Sequence, residues 1–197
     1  MKAVLYGLIV VAVLCITGYL VWSTISTNVK SVTGGPVHYH ADFEIWNCGK
    51  QVDLIDPKGW DNKVGTALLH EHNDNRIHVE GPVLDYKDTS LGKFFEVVGG
   101  KMGNGFLEIP TNNGMVIIED GQCNEEMANL QAFVYRTEGK TFYQEKFTDP
   151  LNYILSPYSN IPPGDCIIIE LDKPKDKTDR ICTFLKIVKE KGEFYER

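Results

Sequence analysis

The sequence predicts an α+β protein: a single N-terminal transmembrane helix, then a mainly-β domain with one short central helix. Three observations carry this. Ala3 to Val29 holds no charged residue. Beyond residue 36, short alternating runs are separated by Gly, Pro, Asn and Asp. One segment only, Leu91 to Val98, has both a start and a stop signal for a helix.

The apolar part of the first segment, Ala3 to Trp22, is 20 residues long. At about 1.5 Å per residue a helix of that length matches a hydrocarbon core of about 30 Å. A cleavable signal peptide has a shorter apolar region and a small-x-small site after it. Here only Gly18, Ser23 and Ser26 are small candidates. Leu14 stands where a lipoprotein site at Cys15 needs a small residue. An uncleaved anchor is the better reading, with Tyr19 and Trp22 in the interfacial belt. Lys2 favours the N-terminal end inside and Lys30 opposes it.

Four segments follow from this: 1–23 as membrane helix, 24–36 as a small, polar linker, 37–172 as a histidine-rich α+β ectodomain, and 173–197 as a C-terminal extension. His38 to Trp46 alternates as a strand, turns at Asn47-Cys48-Gly49-Lys50, and returns over Gln51 to Ile55. Residues 56–67 read as a loop and Arg76 to Val79 as a short strand. Ser90, with Asp88 and Thr89, offers an N-cap for Leu91 to Val98, closed by Gly99-Gly100. Strand-like runs follow at 105–109, 115–119, 131–136 and 152–155. Cys166 to Leu171 follows, and its first four residues, Cys166-Ile167-Ile168-Ile169, are an unbroken apolar run, the mark of a strand covered on both faces. Ile181 to Val188 fits both periods, and a helix ending near Gly192 is preferred. Two strands, one helix, then more strands is an order that resembles the β-grasp arrangement.

The chain has 197 residues, 24% of them charged, and a net charge of −7. That suits one domain with its own core. An acidic chain with interspersed charges argues against a nucleic-acid partner. Cys15 lies in the apolar run. Cys48, Cys123, Cys166 and Cys182 allow two disulfides in three pairings. If both flanks of Lys173-Pro174-Lys175-Asp176 were strands of one hairpin, Cys166 and Cys182 would face each other. There is no C-x-x-C pair, so neither a thioredoxin motif nor a zinc ribbon. Anchor and cysteines together place the domain outside the cell membrane, on a single-pass protein.

All five histidines fall between positions 38 and 78: His38, His40, His70, His72 and His78. Two pairs are His-x-His, and on a strand residues i and i+2 share a face. Glu80 has the parity of His78; Asp42 and Glu44 have that of His38 and His40. If 38–46 lies beside 70–80, imidazoles and carboxylates converge in a donor set suited to zinc or copper. A blue-copper site is not expected, because it needs a thiolate and Cys48 sits in a turn.

The pieces His38-Tyr39-His40-Ala41-Asp42-Phe43, Leu69-His70-Glu71-His72, Ile77-His78-Val79-Glu80-Gly81 and Leu91-Gly92-Lys93-Phe94-Phe95 resemble an uncharacterised prokaryotic family. Its members carry an N-terminal membrane segment and an HxHADF…HxH…IHVxG…LGxFF pattern in one small ectodomain. Asn152-Tyr153-Ile154-Leu155 and Gly164-Asp165-Cys166-Ile167 are similar to its closing strands. The resemblance covers most of residues 37–171 and implies the architecture and the histidine cluster, not a reaction. Family members often carry a further His where Glu80 stands. The stretch His38-x-His40-x3-Glu44 is also similar to the first cupin metal motif, which implies an all-β barrel with those three as ligands. Val32 and Gln51 replace that motif's flanking glycines, and its second motif is absent around His70.

Three functions follow. The first is a membrane-anchored, extracytoplasmic copper- or zinc-binding protein using His40, His70, His72 and His78, then His38 and Glu80. The second is a metal-dependent hydrolase or cupin-type enzyme, with Glu71 or Glu80 as base to a metal-bound water. G-x-S-x-G, phosphate-loop and H-E-x-x-H motifs are all missing. The third is an accessory or structural subunit whose apolar helix packs in a membrane complex, a filament or a homo-oligomer.

Overall fold

The computed structural model describes residues 2–155 and 164–196. Its first helix, α1 (Lys2–Lys30), buries none of its side chains. It is long and apolar enough to cross a membrane, as a span or as a signal sequence. The helix runs on past the apolar stretch, so 24–30 is not the irregular linker that its polar composition predicts. Within the helix the Thr24 and Thr27 hydroxyls donate back to the carbonyls of Leu20 and Ser23, each at 2.9 Å. The next residues are clasped to the domain. The Val32 amide and the Ser31 hydroxyl both donate to the Val83 carbonyl, at 2.8 and 2.9 Å.

The main sheet is mixed. Its longer strands are β1 (Pro36–Asn47), β5 (Arg76–Pro82), β10 (Glu126–Glu138), β11 (Thr141–Lys146) and β12 (Asp165–Asp172). Shorter ones are β2 (Lys50–Gln51), β3 (Val64–Gly65), β4 (Leu69–Glu71), β9 (Gly121–Cys123) and β13 (Tyr195–Glu196). The order is β13-β11-β10-β12-β1-β5-β4-β3, with β2 on β1 and β9 on β10. At the centre β1 and β12 run parallel, Phe43 opposite Ile167. All residues of β12 but the last are buried, as its apolar run predicts. Among the described residues the sheet ends in β13 and β3 and does not close, so they form no all-β cupin-like barrel.

Each face of the sheet has its own cover. On one, Tyr39, Ala41, Phe43 and Ile45 of β1 join Ile167 and Ile169 under α2 (Leu91–Val97). Ser90 caps α2 as predicted, its Oγ accepting the Lys93 amide at 3.2 Å. Phe94 meets Phe43 edge to face at 5.3 Å. A separate three-stranded sheet, β6 (Lys101–Gly103), β7 (Phe106–Thr111) and β8 (Gly114–Glu119), adds Leu107, Ile109 and Ile118 to this core. On the other face, α3 (Thr183–Glu190) sets Leu185 and Val188 against Phe133, Phe142 and Ile168.

Two disulfides staple these layers: Cys48–Cys123 joins the turn after β1 to β9, and Cys166–Cys182 joins β12 to the start of α3. The second bridge forms although its far flank is a helix, not a strand. Cys15 is free and exposed.

Several expected elements differ. Of the return strand expected over 51–55 only Gln51 joins the ladder, in β2 with Lys50, and the loop 56–67 contains β3. Residues 152–155 form no strand; Ile154 makes a single bridge to Ser90. The strand β11 has no strand prediction because Phe142 is its one fully buried apolar residue, too few for a readable alternation.

Candidate metal centre

Four of the histidines lie on three neighbouring strands, β1, β5 and β4, and His72 directly follows β4. In β1 the core-facing residues Tyr39, Ala41 and Phe43 alternate with His38, His40 and Asp42. Pairing then lines the imidazoles up across strands. His70 of β4 pairs with His78 of β5, and His78 pairs with His40 of β1. One row along, His38 pairs with Glu80. Among the ring contacts that bind the group are His40–His78 at 4.5 Å, His72–His78 at 4.6 Å, His38–His40 at 4.7 Å, His70–His72 at 4.8 Å and the stacked pair His70–His78 at 5.5 Å.

Ligand atoms of His70, His72, His78 and Glu80 all lie within 4.8 Å of one another, and so do those of His38, His40 and His78. Ligand atoms about 2.0–2.1 Å from a tetrahedral zinc stand about 3.3 Å apart. Small side-chain rotations close that difference.

The hydrogen bonds decide which nitrogens are free. The His70 Nδ1 sits 3.0 Å from the Thr66 carbonyl, which can only accept, so Nδ1 carries the proton. Its Nε2 is buried with no hydrogen-bond partner. His72 donates through Nδ1 to the Asn62 carbonyl, which likewise leaves Nε2 bare. His78 donates through Nε2 to the Asp74 carboxylate at 3.1 Å, and its buried Nδ1 has no partner. Around Glu80, Oε2 lies 3.9 Å from His70 Nε2, and Oε1 lies 3.1 Å from His38 Nε2 and 4.0 Å from His78 Nδ1. Metal-bound histidines hold their second nitrogen on a carbonyl or carboxylate in this manner.

Burial favours the neutral form of His40, His70 and His78. His40 is pushed down to about 4, first by desolvation and then by the nearby His78 and His38. Desolvation also lowers His70 and His78. A neutral imidazole is the form that binds a metal.

Every histidine expected in the site is therefore gathered there, with Glu80. Two acids of the right parity are not. Asp42 takes the Arg76 guanidinium at 2.7 Å, and that pair, with Arg76 stacked on Phe184 at 4.8 Å, walls the cluster off from α3. Glu44, a ligand in the cupin comparison, accepts from Trp46 Nε1 and from the Thr183 amide and hydroxyl. Glu71 is also spoken for: buried, it accepts the amides of Asp74 and Asn75 at 2.6 and 3.2 Å.

Sequence reasoning missed the orienting groups. Thr66 and Asn62 act through backbone carbonyls, which leave no trace in side-chain type. Asp74 carried a signal, since it lies four residues before His78 in Asn73-Asp74-Asn75. That segment reads as a turn, and it is one, with Asn73 and Asn75 at φ 66° and 56°. The turn also aims Asp74 at His78.

Comparison of the chain with protein-family models, curated proteins and solved structures returns no match. Fold and site define an α+β domain behind a long apolar helix, with histidine groups that could hold a metal ion. Function is read from the site.

Proposed function

We propose that this is a membrane-anchored, extracytoplasmic metal-binding protein that holds copper or zinc in the cluster of His38, His40, His70, His72, His78 and Glu80. One observation carries the reading. Three imidazoles each give one nitrogen to a protein acceptor, and the second nitrogens of His70 and His78 are buried beside Glu80 with no hydrogen-bond partner. Bare buried nitrogens are costly unless something binds them.

The donor set narrows the metal. It is nitrogen and carboxylate, without sulfur, since Cys48 is consumed in a disulfide. Imidazoles with a carboxylate suit zinc or cupric copper, whereas cuprous copper prefers thiolate and thioether. The two disulfides support an oxidising compartment, and α1 supports an anchor there. The strand order β5-β1-β12-β10, with β1 and β12 parallel and α2 across them, supports the β-grasp reading of the domain.

The full chain, purified in detergent without a histidine tag, is challenged separately with zinc and copper and assayed by elemental mass spectrometry. Bound metal that survives dialysis and falls in His72→Ala is the expected result. His72 is only half-buried, so its loss leaves the fold intact by circular dichroism. Wild-type protein that retains no metal overturns the reading. Intact mass of the membrane-extracted chain tests the anchor, which requires residues 1–30 to be retained.

A further inference from the structure

We propose that the cluster holds two metal ions, with Glu80 as the carboxylate that bridges them. This rests on the metal-binding reading and deepens it. The inner ion takes His70, His72, His78 and one oxygen of Glu80. The outer ion takes His38, His40 and the other oxygen.

Donor number is the first argument. A tetrahedral ion is filled by four ligands. The inner set, His70, His72, His78 and Glu80, already supplies four within 4.8 Å of one another. His38 and His40 are then surplus to one ion, yet a hydrogen bond holds their Nε2 atoms 2.9 Å apart, near the separation of about 3.3 Å between two ligands on a shared metal. By distance His78 belongs to both groups. Its Nε2 is engaged by Asp74, so it offers Nδ1 alone, and we count it with the inner ion because His70, His72, His78 and Glu80 form the group that reaches four ligands.

The second argument is how Glu80 is placed. Its two oxygens face different partners: Oε2 lies 3.9 Å from His70 Nε2, and Oε1 lies 3.1 Å from His38 Nε2. A carboxylate that offers one oxygen to each of two ions suits the spacing of about 3.5–4 Å found in two-metal sites.

Exposure separates the two positions. The His70 side chain is fully buried, whereas that of His38 is 61% exposed. The inner ion has four protein ligands and no route to bulk water through His70. The outer ion has three and keeps a position for solvent, so it exchanges faster.

The test is titration of the metal-stripped full chain in detergent with Cu(II), followed by native mass spectrometry and electron paramagnetic resonance. Two ions per chain are expected, the second bound at least ~10-fold more weakly, with a half-field signal from a coupled pair. The double variant His38→Ala/His40→Ala should bind one ion and lose that signal. Glu80→Gln should weaken the coupling. One ion in the wild type, unchanged in the double variant, overturns the second position and leaves the metal-binding reading standing. Two uncoupled ions overturn the bridge. No bound ion overturns both. Circular dichroism of each variant confirms that the fold persists, which is expected because His38 is exposed and His40 half-buried.

Discussion

Asp74 Oδ2 lies 3.1 Å from His78 Nε2, so a carboxylate in a tight turn sets the tautomer of an imidazole four residues later. The proton is held on the Asp74 side, and the Nδ1 lone pair faces Glu80. Replacing Asp74 removes no ligand but frees the ring to take the other tautomer. Asp74→Ala should therefore weaken metal binding by about 10–100-fold. Stability should barely change, because the Asp74 side chain is 44% exposed. Competition against a chromophoric chelator measures the first, and thermal unfolding of the metal-free protein the second.

Metal should also stabilise the fold. The ligands come from three strands, β1, β4 and β5, and from His72 just after β4, so an ion that binds them favours the folded chain over the unfolded one. Free metal at about 100 times its dissociation constant adds about 2.7 kcal/mol, and a chelator removes it. Melting temperature should rise with metal concentration in the wild type. In His72→Ala the rise should shrink or vanish.

Cys48–Cys123 closes the longer loop, with a sequence separation of 75 against 16 for Cys166–Cys182. Removing it by Cys48→Ser/Cys123→Ser should cost about 2–5 kcal/mol. Denaturant melts measured with and without reductant read the loss. Non-reducing peptide maps should give these two pairs and leave Cys15 free. Any other pairing contradicts the placement of β9 beside the turn after β1.

Gly100 follows α2 and runs against β7. A Cβ built there would stand 2.3 Å from the Glu108 carbonyl oxygen, and backbone cannot move aside as a side chain can. Gly100→Ala should destabilise by about 1–3 kcal/mol. A change under half a kcal/mol in urea denaturation would mean that the α2–β7 contact is looser than this.

Much of the fold was legible because its signals are local. The uncharged run from Ala3, the Ser90 cap with Gly99-Gly100, and the apolar run of Cys166 to Ile169 each report on their own neighbours in the chain. Elsewhere local evidence misled. Composition made residues 24–30 a linker, but α1 continues through them to Lys30. Residues 152–155 look like a strand, yet only Ile154 finds a partner. In β11, Thr141 to Lys146 is mostly polar, and pairing with β10 makes it a strand.

For the site, the sequence by itself determined the ligand types and, on each strand, their shared face. Alternation with period two is a property of the chain alone, so His38 and His40 had to point together, as did His78 and Glu80. Tertiary structure decided which strands became neighbours. The register that sets His40, His78 and His70 in one row follows from burying Tyr39, Ala41, Ile77 and Val79 on the opposite face. It also decided which acids stayed free. Asp42 went to Arg76, Glu44 to Thr183 and Glu71 to a turn, because those partners come close only when the sheet, α3 and the loop are assembled. Glu80 alone of these carboxylates was left facing the imidazoles.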